Sequence, residues 1–94
     1  MIIRPEAEAD LADARNWYES QQEGLGDEFL ECVAVAFEKI ERMPESHHII
    51  EHGIRRALTA RFPFSIYYRI QENDLVVLAV LHSRRDPRTW KSRA

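Results

Sequence analysis

Arginine and histidine side chains are the residues of this 94-residue chain that are best suited to chemistry at a phosphate. His82 ends an apolar segment and is followed closely by Arg84 and Arg85, while Arg61 precedes another apolar segment. A guanidinium group binds phosphate oxygens through a planar set of donors, and an imidazole exchanges protons near neutral pH. The pattern predicts an anion-binding surface or, alternatively, a phosphodiester-cleaving site in which His82 acts as acid or base and Arg84 or Arg85 stabilises the phosphate.

Each of these candidates also has a purely structural explanation. An imidazole at the end of a buried strand, as predicted for His82, more often bonds a backbone group and helps to close the sheet. Arginines on strands also protect sheet edges against aggregation. No glycine-rich phosphate loop, nucleophile elbow or Ser-His-Asp set accompanies them, so the sequence indicates binding rather than self-contained catalysis.

Three further histidines, His47, His48 and His52, cluster around a short predicted strand. Zinc requires three or four converging ligands, and the chain has neither a cysteine pair nor an H-E-x-x-H spacing. We therefore expect these histidines to be polar residues at a strand edge, with no metal site and no cofactor.

The formal net charge of −3 conceals a division between the two halves of the chain. Residues 1–53 hold four Arg and Lys against thirteen Asp and Glu, which leaves −9. Residues 54–94 hold nine against three, which leaves +6. This asymmetry predicts an acidic helical half and a basic half that meets an anionic partner. The predicted target-binding residues are Arg55, Arg56, Arg61, Arg69, His82, Arg84, Arg85 and Trp90.

The elements that position these residues follow from hydrophobic periodicity and from prolines and glycines. Pro5 suits the first turn of a helix, and Gly24-Leu25-Gly26 separates it from a second amphipathic helix that ends near Met43, before Pro44. Short strands follow, and the strand over 75–81 is apolar on both faces, which is typical of a central strand. The predicted strands cover residues 1–4, 48–51, 54–60, 64–70 and 75–81, and a final helical turn covers 88–92.

This order predicts a single α+β domain over residues 1–94, with the arrangement β-α-α-β-β-β(-β). The N-terminal helical hairpin is expected to pack on one face of a small, mostly antiparallel sheet of three or four strands. Strand pleating sends Arg55 and Arg56 to opposite faces. The arginines expected to converge on the face or edge away from the helices are Arg61, Arg69 and Arg84 or Arg85.

Composition also predicts the compartment. Cys32 is the single cysteine, so no internal disulfide can form and nothing indicates an oxidising compartment. Met1-Ile2-Ile3 is followed at once by Arg4 and Pro5, unlike a secretory leader. No apolar run approaches the ~20 residues that a membrane span needs. We expect a cytoplasmic protein with no membrane association.

A series of short motifs extends over nearly the whole chain. The motifs are Trp17-Tyr18, Gly24-Leu25-Gly26, Gly53-Ile54-Arg55-Arg56, Phe62-Pro63-Phe64-x-Ile66-Tyr67-Tyr68 and Val80-Leu81-His82-x-x-Arg85-Asp86-Pro87. In this order and spacing, they resemble the ParE/RelE superfamily, the toxins of type II toxin–antitoxin modules that include many plasmid-stabilisation proteins. The resemblance implies the same α+β fold.

The resemblance also implies a cognate antitoxin whose C-terminal segment orders on the toxin and masks it. Such a segment would add to a free sheet edge and pack on the helical hairpin. The resulting assembly would be a hetero-oligomer, and a homodimer is a second option. The hairpin residues assigned to antitoxin binding are Leu11, Trp17, Tyr18, Phe29 and Val33.

The resemblance leaves two targets open. ParE-like members inhibit DNA gyrase by binding, whereas RelE-like members cut messenger RNA on the ribosome with a basic cluster and a Tyr, His or carboxylate near the C-terminus. This chain has no His or Tyr after His82 and only Lys91 as a lysine in its second half, which favours a ParE-like inhibitor that is not an enzyme. A third option is a member that has lost toxicity and only binds its antitoxin. If the chain is a nuclease, the resemblance implies that Arg61, Arg84 or Arg85 stabilises the scissile phosphate and that His82 or Tyr67 moves the proton.

Overall fold

A helical hairpin packs on one face of a five-stranded sheet in the computed structural model, which describes all residues from 1 to 94. The strand order is β1-β5-β4-β3-β2, and every neighbouring pair is antiparallel except β1 and β5, so the predicted α+β class is confirmed. The elements are β1 Ile2–Ile3, α1 Pro5–Gln21, α2 Leu25–Arg42, β2 Ile49–Glu51, β3 Ile54–Leu58, β4 Phe64–Gln71, β5 Asp74–His82 and α3 Arg88–Lys91. None of the three helices is both long and apolar enough to cross a membrane.

The link between α1 and α2 is short and closely packed. Gly24 adopts φ +88°, a left-handed conformation that glycine reaches without steric cost. The two carboxylate oxygens of Glu19 accept hydrogen bonds from the backbone N–H groups of Gly24 and Gly26, at 3.0 Å each. A Cβ on Gly26 would lie 2.6 Å from the carbonyl oxygen of Arg15, so only glycine allows this approach. Glu19 therefore caps the start of α2 and fixes the hairpin.

The first core lies between the hairpin and the sheet. The predicted amphipathic character of α2 is confirmed, because one face of it is buried or half-buried against side chains that β4 and β5 direct toward the helices. The residues of this face are Leu25, Phe29, Val33, Ala36, Phe37 and Ile40. Three aromatic rings, Tyr18, Phe29 and Phe64, meet within this core at centroid distances of 4.9 to 6.0 Å. The fully or almost fully buried residues of the first core include Phe29, Val33, Ile40, Ile66, Tyr68, Val77 and Val80.

A second core lies on the opposite face of the sheet, where α3 covers it. Trp90 of α3 packs there with Ile54, Tyr67, Leu78 and Leu81. The prediction that β5 is buried on both faces is confirmed, but its position as the central strand is wrong. The middle strand is β4, and the sheet has five strands rather than three or four, because β1 and β2 both pair at its edges.

A bulge in β5 changes which residues face which core. Tyr67 is opposite Ala79 and Tyr68 is opposite Val77, so Leu78 is an extra residue. Leu78 and the adjacent Ala79 both belong to the second core, contrary to strict alternation. The bulge allows β5 to be apolar without interruption and still supply both cores.

The outer edge of β5 is closed by a strand and by side chains together. β1 pairs only with Val76 and Val77. Farther along the strand, Asp10 accepts the backbone N–H of Val80 at 3.0 Å, and Arg93 donates to the carbonyl of Leu78 at 3.2 Å. Asp10 and Arg93, which we call the edge clasp, thus occupy hydrogen-bonding groups that a neighbouring strand would use.

Three predicted strands are longer than the observed ones. β2 covers Ile49–Glu51 rather than residues 48–51. β1 covers Ile2–Ile3 rather than residues 1–4. β3 ends at Leu58 rather than at residue 60, because the next residue turns the chain. The hydroxyl of Thr59 donates to the carbonyl of Phe62, and its backbone N–H donates to the carbonyl of Phe64.

Candidate functional site

The loop before β4 and the turn after β5 meet at one end of the sheet. Phe64 and His82 are directly opposite each other in the register of the two strands. The backbone N–H of Ser83 donates to the carbonyl of Pro63 at 2.7 Å, and the hydroxyls of Ser65 and Ser83 are 3.2 Å apart. These contacts bring two basic segments, far apart in sequence, to the same end of the molecule.

The guanidinium groups at this end are exposed. Arg84 and Arg85 form no ion pair, so both charges are free for a partner. Arg61 lies over the Phe62 ring at 5.3 Å and 3.7 Å from Glu28, a distance at which an exposed pair contributes little. Arg61 faces α2, where it lines a separate cavity with Glu28 and Glu31. We call His82, Arg84 and Arg85 the sheet-end surface.

The imidazole of His82 is held in one orientation. Its Nδ1 accepts the backbone N–H of Arg84 at 3.1 Å, and its ring contacts Phe64 at 5.6 Å. The backbone hydrogen bond expected of a structural histidine is therefore present. Because Nδ1 is the acceptor, a neutral ring carries its proton on Nε2, which stays available to a ligand. His82, Arg85, Asp10 and Asp13 line a cleft of about 230 Å³ between α1 and the end of β5.

The other predicted basic residues lie elsewhere. Arg55 is opposite Tyr68 on the helix side of β3, and its guanidinium donates to the carbonyls of Glu45 and His47 at 3.0 and 2.8 Å. Arg55 therefore braces the connection to β2. Arg56 and Arg69 lie on the face of the second core, which we call the far face. The expected convergence of Arg61, Arg69 and Arg84 or Arg85 is wrong, because Arg69 lies on the far face and Arg61 lies against Glu28 of α2.

Tyr67 and Trp90 stack on each other in the second core. Their ring centroids are 5.0 Å apart with an interplanar angle of 15°, and the two residues are 4% and 7% exposed. The assignments of Tyr67 as a proton-transfer group and of Trp90 as a target-binding residue are therefore corrected. Both rings hold α3 against the sheet and present almost no surface to a partner.

The residues assigned to antitoxin binding also separate by exposure. Phe29 and Val33 are 0% and 2% exposed, so they are core residues and the assignment is corrected for both. Tyr18 and Leu11 are half-buried against the first core, and burial raises the pKa of the Tyr18 phenol. Trp17 is 59% exposed and is the member of the set that offers a large apolar surface.

Sequence reasoning missed two exposed apolar residues of α2, Leu30 and Val35. Both interrupt the polar face of an amphipathic helix. That interruption is the sequence signal that could have identified them.

Asp86 pairs with Arg88, so Arg88 does not extend the sheet-end surface. Its carboxylate accepts the Nε–H and an Nη2–H of Arg88, at 3.0 and 2.7 Å, and also the backbone N–H of the same residue at 2.9 Å. These hydrogen bonds from Arg88 lower the pKa of Asp86. Arg88 is thus paired at the start of α3 and does not add a free charge.

Comparison with known proteins gives the family. Residues 1–87 match the family described as ParE toxin of type II toxin-antitoxin system, parDE. A solved chain of the chromosomal ParDE toxin–antitoxin system from P. aeruginosa is similar in structure, with a TM-score of 0.64 and 20% sequence identity. The match covers 87% of this chain and 95% of that chain, and at this identity it shows a shared fold. No curated protein matches the sequence significantly. Because the family match spans the hairpin, all five strands and the sheet-end surface, the chain belongs to the ParE toxin family of type II toxin–antitoxin systems.

Proposed function

We propose that this toxin inhibits DNA gyrase by binding it through the sheet-end surface, and that a cognate antitoxin neutralises it in a hetero-oligomeric complex. Both partners and the toxin would act in the cytoplasm. Membership of the ParE family supports the toxin role. The target and its contact surface are the parts that experiment must test.

The observation that supports binding is the chemistry of the sheet-end surface. Arg84 and Arg85 present two unpaired guanidinium groups beside His82. Such groups recognise phosphates or carboxylates on a macromolecule and steer its approach. Tyr67, the second proton-transfer candidate, is buried under Trp90 and lies on the far face. The arrangement therefore supports a binding surface better than a complete acid–base pair.

Exposed apolar side chains of the hairpin support the antitoxin interaction. Trp17, Leu30 and Val35 are 59%, 38% and 49% exposed. An antitoxin segment that orders on the toxin would cover such side chains, because large aromatic residues contribute strongly to protein interfaces. Trp17→Ala would then weaken binding of the protein encoded by the neighbouring reading frame. An unchanged affinity would remove the hairpin from the proposed interface.

A second candidate function is cleavage of messenger RNA on the ribosome. The observation that favours it is the cleft that holds His82 and Arg85, because Nε2 of His82 is the free nitrogen and a guanidinium lies in the same cleft. In this mechanism the Nε2–H of His82 would donate a proton to the leaving oxygen while water takes the proton of the attacking hydroxyl, and Arg85 would stabilise the phosphate charge.

One paired assay separates the two functions. Purified protein is added to a gyrase supercoiling reaction and to a reconstituted translation reaction with a labelled message. Inhibited supercoiling with an intact message supports the gyrase proposal and rejects the nuclease. A message cut in phase with codons, with normal supercoiling, rejects the gyrase proposal. Inactivity in both reactions with tight antitoxin binding would indicate a protein that has lost toxicity.

A further inference from the structure

A cationic cavity lies at the C-terminal end of α2. It has a volume of about 230 Å³ and shares no lining residue with the sheet-end surface. The acidic half of the chain contains only four Arg and Lys residues, and two of them lie here. The lining residues are Lys39, Arg42, Met43, Ser46 and His47. We call this the α2-end cavity.

Hydrogen bonds determine which nitrogen of His47 carries a proton. The hydroxyl of Tyr68 donates to the carbonyl of Pro44 at 2.7 Å, and the hydroxyl of Ser46 donates to the carbonyl of Met43 at 2.8 Å. Each hydroxyl has one proton, so neither can donate to Nδ1 of His47, which lies 3.1 Å from the Tyr68 oxygen and 3.5 Å from the Ser46 oxygen. Nδ1 must therefore be the donor. The free nitrogen of the ring is Nε2.

The segment that carries His47 is anchored on the protein core. Tyr68 is 0% exposed, and its ring meets the imidazole edge-on at 6.0 Å. The guanidinium of Arg55, on β3, donates to the carbonyls of Glu45 and His47 and holds this segment against the sheet. The imidazole is thus positioned before any ligand arrives, which lowers the entropic cost of binding.

The charges around the cavity favour an anion. Neither Lys39 nor Arg42 forms an ion pair, although Glu38 and Glu41 line the neighbouring surface with Arg42. The C-terminal end of a helix carries roughly half a negative charge, which opposes an anion at this position. Two full positive charges outweigh it. Glu38 and Glu41 line the neighbouring surface, so Lys39 and Arg42 are the charges that line the cavity itself.

We propose that the α2-end cavity binds a single phosphate group, with Lys39 and Arg42 pairing its charged oxygens and Nε2 of His47 making the third contact. Phosphate suits this set because it can present both charged oxygens to cations and a P–O–H group to a neutral Nε2. Ser46 cannot donate, because its proton is used within the loop. The site is independent of the proposed gyrase function.

The imidazole nitrogen signals of uniformly ¹⁵N-labelled protein provide the test. The free protein is expected to show His47 protonated on Nδ1. Titration with inorganic phosphate is then expected to shift the Nε2 signal in a saturable manner, and a parallel titration with glycerol 3-phosphate shows whether the free ion or an ester binds more tightly.

Variants complete the test, because the two cations are exposed and their replacement is expected to leave the fold intact. Lys39→Gln and Arg42→Gln are each expected to weaken phosphate binding by about tenfold or more, the loss that follows removal of a charge-assisted hydrogen bond. Arg56→Gln, at an exposed and unpaired arginine on the far face, is the matched control and is expected to bind as the wild type does. No saturable shift at His47, or equal weakening by the control, would overturn the proposal.

Discussion

The guanidinium of Arg93 donates two hydrogen bonds, of 2.6 and 3.2 Å, to the carboxylate of Asp10, a residue 83 positions earlier in the chain. This hydrogen-bonded pairing raises the pKa of Arg93, which therefore stays charged. Arg4 adds to the arrangement by donating to the carbonyl of Arg93 at 2.9 Å. The C-terminal segment, the start of α1 and the open part of the β5 edge are thus held together at one point.

Removal of the edge clasp is expected to destabilise the fold. Both side chains are largely buried: that of Arg93 is 17% exposed and that of Asp10 is 12% exposed. Asp10→Ala leaves Arg93 and the N–H of Val80 without a partner, so it is expected to lower the free energy of unfolding by about 2 kcal/mol. Urea unfolding measures the change. Asp13→Ala, at an exposed position one turn later, is the control and is expected to change stability by less than about 0.5 kcal/mol.

A double-mutant cycle tests whether Asp10 and Arg93 act as a pair. Asp10→Ala, Arg93→Ala and the double variant are expected to show a coupling of about 1–3 kcal/mol. Strict additivity of the two single changes would contradict the clasp.

The two tryptophans are expected to differ in both stability and fluorescence. Trp90 is 7% exposed and stacked on Tyr67, whereas Trp17 is 59% exposed. Trp90→Ala is expected to cost about 3–5 kcal/mol because it leaves a cavity in the second core, and Trp17→Ala is expected to cost much less. Acrylamide quenching of each single-tryptophan variant reports the exposure of the remaining ring. If the variant that keeps only Trp90 were quenched more strongly than the variant that keeps only Trp17, α3 would not cover the second core.

The Glu19 cap is expected to stabilise the hairpin. Glu19→Ala leaves the N–H groups of Gly24 and Gly26 without their side-chain acceptor, at a cost of about 1–2 kcal/mol. Gly26→Ala places a methyl group against the carbonyl of Arg15 and is expected to cost about 1–3 kcal/mol. Thermal unfolding followed by circular dichroism measures both. Glu23→Ala, in the same link, is the control, and a loss as large as that of Glu19→Ala would argue against capping.

Stability is expected to fall at alkaline pH. Burial raises the pKa of Tyr68, and the positive charge of Arg55 offsets part of that rise. The fold therefore favours the neutral phenol, so this contribution is complete below the unfolded pKa of about 10 and is lost as pH rises through the higher folded value. Tyr68→Phe is expected to remove part of the decrease in the free energy of unfolding above about pH 10. Tyr18, whose pKa is also raised, accounts for another part of that decrease.

At neutral pH, the same Tyr68→Phe variant is expected to lose about 1–2 kcal/mol, because the carbonyl of Pro44 and Nδ1 of His47 lose their partner. Chemical unfolding across pH 7 to 11 measures both effects. If the free energy of unfolding of Tyr68→Phe decreased above pH 10 as much as that of the wild type, ionisation of Tyr68 would not contribute to the loss of stability.

Local signals in the sequence predict the elements well and the surfaces only in part. Helical periodicity and Gly24 indicate the hairpin, and Pro44 indicates the end of α2, because these are properties of neighbouring residues. The bulge at Leu78 has no local signal in an unbroken apolar run, and it decides which β5 residues face which core. The position of Arg69 on the far face follows from strand register, which a sequence specifies only through its tertiary partners.

The site residues that the sequence misplaced depend on contacts made at long range. Trp90 reads as an aromatic in a basic tail, but α3 folds back and buries it on Tyr67. Arg55 reads as a free cation, but its guanidinium satisfies two loop carbonyls. The Asp10–Arg93 clasp joins the two ends of the chain and has no local signature at all.

Gyrase supercoiling with charge-matched variants tests the central proposal most directly. Wild-type protein is expected to inhibit supercoiling, and Arg84→Gln/Arg85→Gln is expected to require about tenfold or more protein for the same inhibition, because two free charges of the sheet-end surface are lost. Arg56→Gln/Arg69→Gln, which removes the same charge from the far face, is expected to inhibit almost as the wild type does. Supercoiling unaffected by the wild type, or equal loss in both double variants, would contradict the account.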